Sequence, residues 1–546
     1  MAIFRKFPYT NYHDLNLDWI IEQVKLYIAK CDILELDFKE LKEYVDSLDI
    51  QEAVDNKLDE MADDGTLAAI IAQYLATQGL IAFDTVADLK AAANLVANVD
   101  VVVLGDLLYN DGKLNLYKIR NLSISDVVDE VNILSLTNYP TLVAELLRVE
   151  KSVVNVKYYG AKGDGVTNDI EAIKLARDAA WTKGLPLYFP AGDYLIGKDF
   201  DTAMLDSGIV INAPITIMGD GYASRIIASQ NDPTPIQALV IVDTDDVIIR
   251  DICIDGSVDP DDPDWSSGYQ VHGIRMQNCS NVLIDHVKVV NCLGYGIGAQ
   301  QGTFQNVTIN ECYIDFTGQD GIDFKNRNSD NRGLKVLNTY VTNVGMNDTL
   351  ANQYAQCCID IRGQQSLISG CHCLRIPGDR NGIRLRATDS TPGGTGAGGG
   401  SSQITNCIVT GVNGNTGIGI SFDEGGTISN CQIQRMGTGI VCNTNFDNIA
   451  NCSFDRCTLG IHIGGYGIFV VNCLFTSLTK SVHCENTNAV FFTNCLFSGA
   501  SSVMFELNSS NKVYICQSFA RGTIGAQFSG TTSNVHISQC ENIATP

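Results

Sequence analysis

Asn451-Cys452-Ser453-Phe454, Asn472-Cys473-Leu474-Phe475 and Asn494-Cys495-Leu496-Phe497 repeat one cassette: asparagine, cysteine, any residue, then an apolar side chain. It begins earlier, at Asn406-Cys407-Ile408-Val409 and Asn430-Cys431-Gln432-Ile433, and Cys516 and Cys540 continue its register. Successive cysteines are separated by 24, 21, 21, 22, 21 and 24 residues. That period fits one coil of a parallel β-helix, in which a coil cannot bury its own apolar face and is stable only against its neighbours. Ile404, Cys407 and Val409 can all face inward only if strand alternation breaks between them, so the asparagine is expected at a bend. Function then lies in what the coils display outward.

A second cassette, an apolar-x-apolar triplet usually introduced by glycine, aligns the coils on another face. It reads Gly273-Ile274-Arg275-Met276, Gly296-Ile297-Gly298-Ala299, Gly321-Ile322-Asp323-Phe324, Cys358-Ile359-Asp360-Ile361, Gly382-Ile383-Arg384-Leu385, Gly417-Ile418-Gly419-Ile420, Gly439-Ile440-Val441-Cys442 and Gly460-Ile461-His462-Ile463. The flanking apolar residues point in and the one between them points out. The outward column is thus Arg275, Gly298, Asp323, Asp360, Arg384, Gly419, Val441 and His462. Two residues on, a second column contains Gln277, Gln300, Lys325, Arg362, Arg386, Ser421, Asn443 and Gly464.

The composition narrows the partners. The chain has 546 residues, and 62 acidic against 37 basic side chains leave a formal charge of -25. Such a charge repels phosphate backbones and acidic membranes, which excludes nucleic acid as the main partner. No run of 18 uninterrupted apolar residues is present, so no membrane insertion is expected. The 19 cysteines recur at coil spacing beside isoleucine, valine and phenylalanine, which reads as small buried hydrophobes more than as disulfides, and fits folding in a reducing cytosol.

Upstream, Leu17, Ile20, Val24, Tyr27, Cys31, Leu34, Phe38, Leu41, Val45 and Leu48 alternate steps of three and four, a coiled-coil pattern whose alternative is an amphipathic helix packed within its own chain. A second helical stretch is expected over 53–77. Residues 81–122 predict a short helix at 86–93, strands at 99–104 and 114–119, and a turn at Asn110-Asp111-Gly112, a hairpin signal. Residues 123–150 read as mainly helical. The expected domains are 1–80, a helical leader and coiled coil; 81–152, a small connecting α/β module; and 153–546, the β-helix.

Two stretches carry a resemblance. Val156-Lys157-Tyr158-Tyr159-Gly160-Ala161-Lys162-Gly163-Asp164-Gly165-Val166-Thr167-Asn168-Asp169, an amphipathic helix after it, and Leu187-Tyr188-Phe189-Pro190-Ala191-Gly192-Asp193-Tyr194-Leu195 resemble the opening of the pectate-lyase-like right-handed β-helices. Thr167 or Asn168 can cap that helix, with Asp169 and Glu171 in its first turn. The opening Phe4-Arg5-Lys6-Phe7-Pro8-Tyr9-Thr10-Asn11-Tyr12-His13-Asp14-Leu15-Asn16-Leu17-Asp18-Trp19-Ile20, with Phe83-Asp84-Thr85-Val86-Ala87-Asp88-Leu89 and 111–119, resembles the virion-attached leader of bacteriophage tail proteins. The resemblance implies a homotrimeric tailspike, made in the host cytoplasm and carried on the virion. Its leader would dock to other phage tail or virion proteins, and its β-helix would bind bacterial cell-surface polysaccharide. That family includes hydrolases, lyases and non-catalytic adhesins, so a receptor-binding fibre stands beside a depolymerase. A free-standing secreted pectate lyase fits less well, because no export signal is recognisable.

Charge on the outward columns concentrates in three coils: Asp323 and Lys325, Asp360 and Arg362, Arg384 and Arg386, with Asp320 at the entry to the first. Long insertions at 346–356 and 388–402 flank the same coils. Stacked carboxylates can do glycosidic acid/base work, because crowding raises one pKa while the other group stays ionised. Asp323 and Asp360 on adjacent coils would start roughly 5 Å apart, nearer to a retaining pair than to an inverting one, with Asp320 available for a wider pair. Asp320, Asp323 and Asp360 are therefore the candidate catalytic residues, and Lys325, Arg362, Arg384 and Arg386 the candidate substrate-binding ones. No cofactor is needed for hydrolysis. The family resemblance also implies a lyase route, with Ca2+ held by aspartates and an arginine as base, for which Arg384 is the candidate. The plain alternative is an outward salt-bridge ladder in which Asp323 and Asp360 alternate with Lys325, Arg362 and Arg384. Cys371-His372-Cys373 matches no common structural zinc spacing. Asp259, Asp261, Asp262 and Asp264 lack EF-hand spacing, though Trp265, Tyr269 and His272 beside them offer a sugar-stacking surface.

Overall fold

The computed structural model describes residues 81–104, 115–123, 128, 133–146, 152–199, 206–229, 236–261, 271–324, 331–347, 356–386, 402–423, 425–445, 447–509, 511–530 and 534–543. The expected coiled coil, the helix at 53–77, the turn at 110–112, Lys325, Trp265 and Tyr269 lie outside these residues. The chain divides into two compact units, Met1–Lys151 and Ser152–Pro546.

In the first unit, the helix Val86–Ala91 starts at a capping box: Thr85 accepts from the Asp88 amide while the Asp88 carboxylate accepts from the Thr85 amide. Five strands form one sheet in the order Ile81–Phe83, Val99–Val103, Asn115–Asn121, Leu142–Leu146, Ile133–Ser135. The first pair is parallel and the others antiparallel. The antiparallel pair expected from the Asp-Gly signal is present, with Val101 opposite Tyr117. Over 133–146 the helical reading is wrong: the strands Ile133–Ser135 and Leu142–Leu146 stand there. Leu134, Val143, Ala144 and Leu146 are buried in strands, because the exposed edge of Asn115–Asn121 offers hydrogen bonds that outweigh a weak helical preference.

The second unit is a parallel β-helix with three strands per coil. One coil runs Leu459–Ile463, Tyr466–Val471, Leu474–Thr476, and the next Lys480–Glu485, Asn488–Thr493, Leu496–Ser498. The first strand of each coil joins a 13-stranded sheet and the other two a 27-stranded one, all in parallel register. The helix Ile170–Lys183 packs its Ile170, Ile173, Ala176 and Ala180 against the opening strands. Its N-cap is Asp169, not Thr167 or Asn168. The Asp169 carboxylate instead accepts the amides of Lys162 and Gly163, and Asn168 Oδ1 accepts those of Ile170 and Gly197.

The asparagine-cysteine cassette is the corner between the two strands of the larger sheet. Asn406, Asn430, Asn451, Asn472 and Asn494 have φ of 55 to 57°, the left-handed bend that asparagine tolerates better than other non-glycine residues. Their amides form a ladder: Asn451 Nδ2 donates to Asn430 Oδ1 at 3.1 Å, Asn472 to Asn451 at 3.1 Å, and Asn494 to Asn472 at 2.7 Å. Each following cysteine is buried, and its thiol donates to the carbonyl two residues earlier. All 18 cysteines of the described residues are free thiols. Beside them Phe454, Phe475 and Phe497 stack at 4.9 and 4.7 Å inside the core.

Candidate functional site

The 13-stranded sheet sets the site. Ile322, Phe324, Ile359, Ile361, Ile383 and Leu385 are buried inside the solenoid, so alternation sends Asp323, Asp360 and Arg384 to its outer face. They are register partners on consecutive coils, preceded by Arg275 and Gly298. The next position aligns with Ser421, not Gly419, and Arg386 aligns with Asp423. The expected column is thus displaced by two residues at this coil. Gly419 is an inward position beside Gly439, where an added Cβ would meet the Gly439 carbonyl at 2.6 Å. The expected Gln300 is likewise replaced by Gln301, across a bulge.

Although Asp323 and Asp360 leave the outer face of the sheet, the aspartates are not solvated. Asp320, Asp323 and Asp360 are buried, with exposures of 4, 0 and 3 %. Their carboxylate oxygens lie within 4.8 Å of one another. Asp320 is held by the Cys357 amide, which donates to Oδ1 at 2.6 Å. Asp360 is clamped by Arg386, whose Nε donates to Oδ1 at 3.0 Å and whose Nη2 donates to Oδ2. Burial lowers the Arg386 pKa, but the neighbouring Asp360 more than offsets it and the net shift is upward. Arg362 is buried on the same strand as Asp360. Arg384 Nε lies 3.7 Å from Asp423 Oδ2, and burial raises the Asp423 pKa against the pull of Arg384 and Arg386. Two ion pairs are described on this face, Asp360 with Arg386 and Arg384 with Asp423.

Two further side chains complete the site. His272 lies over Gly298, where a Cβ would meet its ring at 2.0 Å, so glycine is required there. Tyr295 is buried with its ring 4.8 Å from that of His272. Burial first, then the charges of Asp323, Asp320 and Asp360, push the Tyr295 hydroxyl well above its ordinary pKa. Sequence reasoning placed His272 only with Trp265 and Tyr269, and missed Tyr295 and Asp423 altogether. Asp423 was hidden by the two-residue displacement; Tyr295, outside either cassette, gave no signal. Elsewhere, Cys371 and Cys373 point into the core while the His372 ring lies outside against that of Tyr340, tilted, with centroids 4.5 Å apart, so the three do not converge.

Three carboxyls this close cannot all be ionised without compensation. Arg386 balances Asp360, and Arg362 is buried on the same strand. All-oxygen donors within 4.8 Å suit a hard divalent ion such as Ca2+, although Asp360 is already engaged by Arg386. Asp320, Asp323 and Asp360 would hold it, and it would supply neutralisation of a substrate carboxylate.

Residues 153–359 match the family described as rhamnogalacturonase A/epimerase, pectate lyase-like. Mannuronan C5-epimerase AlgE1 of Azotobacter vinelandii is 28 % identical over 183 residues, 32 % of this chain and 12 % of that protein. The pre-neck appendage protein of Bacillus phage phi29 is 26 % identical over 209 residues, 34 % of this chain and 22 % of its own length. Less than a quarter of either relative is therefore spanned. Among solved structures, tailspike protein 3 of bacteriophage CBA120 aligns over 78 % of this chain and 66 % of its own, with a TM-score of 0.45 and 11 % identity. Among the described residues no helix is long and apolar enough to cross a membrane.

Proposed function

We propose that this chain is a bacteriophage tailspike that binds bacterial cell-surface polysaccharide and cleaves its glycosidic bonds during host adsorption. The observation that carries the reading is the convergence of three buried carboxylates on the outer face of the β-helix, within 4.8 Å of one another and anchored by Arg386. Of two carboxyls so placed, one in its acid form would protonate a leaving oxygen and an ionised partner would act on the sugar. Their short separation favours a retaining course over an inverting one, which needs about 6.5 Å or more to admit a water. The likeness of part of the chain to a phage pre-neck appendage protein supports a place on the virion, with residues 1–80 attaching to other tail proteins.

A lyase reading has one observation in its favour, the buried Tyr295, whose hydroxyl is held protonated by burial and by the charges of Asp323, Asp320 and Asp360 and which would serve as a proton donor, with the His272 ring packed 4.8 Å from its own. Arg384, the arginine this route assigns as base, lies 3.7 Å from Asp423 Oδ2. The test is to incubate the full-length protein with purified host capsule and follow both reducing ends and the absorbance of unsaturated uronates. Reducing ends alone mark hydrolysis, and an absorbance rise marks elimination. Asp323→Asn should lower the rate by about 10²- to 10⁴-fold, the usual worth of a positioned acid or base. Unchanged cleavage by that variant would leave the site without a catalytic role, and binding without any cleavage would leave an adhesin.

The proposal includes a homotrimer. Phe469, Phe491, Tyr514 and His536 stack along the larger sheet at 4.8 to 4.9 Å with interplanar angles of 7 to 14°. Leu474, Leu496 and Phe519 form the neighbouring column. Phe469, Leu474 and Phe519 are 42, 39 and 41 % exposed, and none of these side chains is acidic. Stacking uses the ring faces and leaves their edges outward, which suits another apolar sheet face better than a sugar ring. In a chain of net charge -25, these two apolar columns, the second of which ends at Glu541, are where copies can approach.

A further inference from the structure

We infer that Arg275 forms a subsite for an anionic group of the bound saccharide, two coils from Asp323, and that the polysaccharide taken by this site is acidic. The inference rests on the polysaccharide reading above and deepens it by naming the substrate class.

Arg275 lies between Ile274 and Met276, both fully buried, so its side chain leaves the outer face of the sheet that carries the aspartates. Its register partners are Val240 on one side and Gly298 on the other, and Gly298 in turn pairs with Asp323. Two strand spacings place it roughly 10 Å along the axis from Asp323. Val240 belongs to an apolar cluster with Val210 and Val242, and Gly298 is covered by His272. The guanidinium therefore emerges between an apolar patch and an imidazole, with no carboxylate on either neighbouring strand at its position.

Its Nε is closed to solvent and has no hydrogen-bond acceptor among the described residues. Burial alone lowers its pKa, with no acidic group contributing to the shift. Other arginines of this acidic chain behave differently. Arg177, Arg225, Arg250, Arg380 and Arg456 each lie within 3.1 Å of an aspartate, and Arg386 is clamped to Asp360. Arg275 is half-buried, and a cation partly withdrawn from water with no counter-charge among the described residues gains from meeting one. A planar guanidinium is the group best shaped to take a carboxylate through two parallel hydrogen bonds. Since Arg275 stands away from the carboxylate cluster, it would read a sugar removed from the bond under attack. It is a specificity residue and not a catalytic one.

The test uses full-length protein and capsule from a strain to which the labelled protein adsorbs, before and after carbodiimide-borohydride reduction of the capsule's carboxyl groups. Wild type should bind native capsule about 10- to 100-fold more tightly than the reduced form, the worth of one charge-assisted contact. Arg275→Gln should bind both forms alike, and Arg275→Lys should recover part of the preference. In turnover, Arg275→Gln should raise KM and leave kcat in place, a split that a misfolded site would not give. Equal wild-type binding to both capsules would overturn the inference, as would an Arg275→Gln variant that keeps the preference for the native one. Absence of adsorption to any strain would instead overturn the polysaccharide reading itself, and this subsite with it.

Discussion

Replacing Arg386 by methionine should open the β-helix locally at the proposed site. Arg386 and Asp360 have side-chain exposures of only 14 and 4 %, so water cannot take over the role of either partner. At an effective dielectric near 20, a charge pair 3 Å apart attracts by about 5 kcal/mol, and two carboxylates 4.8 Å apart repel by about 3.5 kcal/mol. Removing the guanidinium deletes the first term and leaves Asp360 facing Asp320 and Asp323. Measured losses for breaking one side of a buried pair run to about 3–5 kcal/mol. Hydrogen exchange of the amides in Cys357–Arg362 and Asn381–Arg386 should then accelerate by roughly 10²- to 10³-fold, while remote coils keep their protection. Adding Asp360→Asn should restore most of that protection, because the orphaned charge is gone. If Arg386→Met exchanges at the wild-type rate in both strands, the carboxylate cluster does not depend on this pair and the electrostatic account of the site fails.

Asp447, fully buried, has its pKa pushed up to about 6 by burial, against hydrogen bonds from the Thr444 hydroxyl and the Gly426 amide. A carboxyl whose folded pKa exceeds its unfolded value binds its proton more tightly in the fold, so its contribution is favourable at low pH and is lost as pH rises from about 4 through 6. Asp447→Asn should remove that slope and raise stability at neutral pH by up to about 3 kcal/mol, read from melting temperatures at about pH 4 and pH 7. Asn472→Ala should cost about 2–3 kcal/mol, from a left-handed bend that alanine resists and the loss of two ladder hydrogen bonds; Asn472→Gly should recover only the bend, and equal stability of the two variants in thermal unfolding would contradict this division. Phe469→Glu with Phe491→Glu should convert the homotrimer to monomer in light scattering without unfolding the β-helix, and a surviving trimer would remove this face from the interface.

Periodicity was legible because a solenoid repeats its constraints: every coil needs a bend before an inward cysteine, and the chain writes Asn-Cys at each one. The same logic exposed the inward residues of the 13-stranded sheet, and with them the column of Asp323, Asp360 and Arg384. It failed at Gly417-Ile418-Gly419-Ile420-Ser421-Phe422, where two frames fit the cassette equally well. Packing decides between them, since only a glycine tolerates the carbonyl of Gly439 against position 419.

The sequence by itself determined the coil period, the bends, the interior cysteines and phenylalanines, and, where only one frame fits the cassette, which residues leave the face of the sheet. Those follow from local alternation and from identical neighbours, both of which the chain order contains. Only the tertiary structure decided that Asp320, Asp323 and Asp360 are withdrawn from water, that Arg386 rather than Arg384 clamps Asp360, and that Tyr295, His272 and Asp423 belong to the same site. Outwardness is set by a residue's two sequence neighbours, whereas burial and charge pairing are set by groups tens of residues away, and no pattern along the chain records what those groups cover.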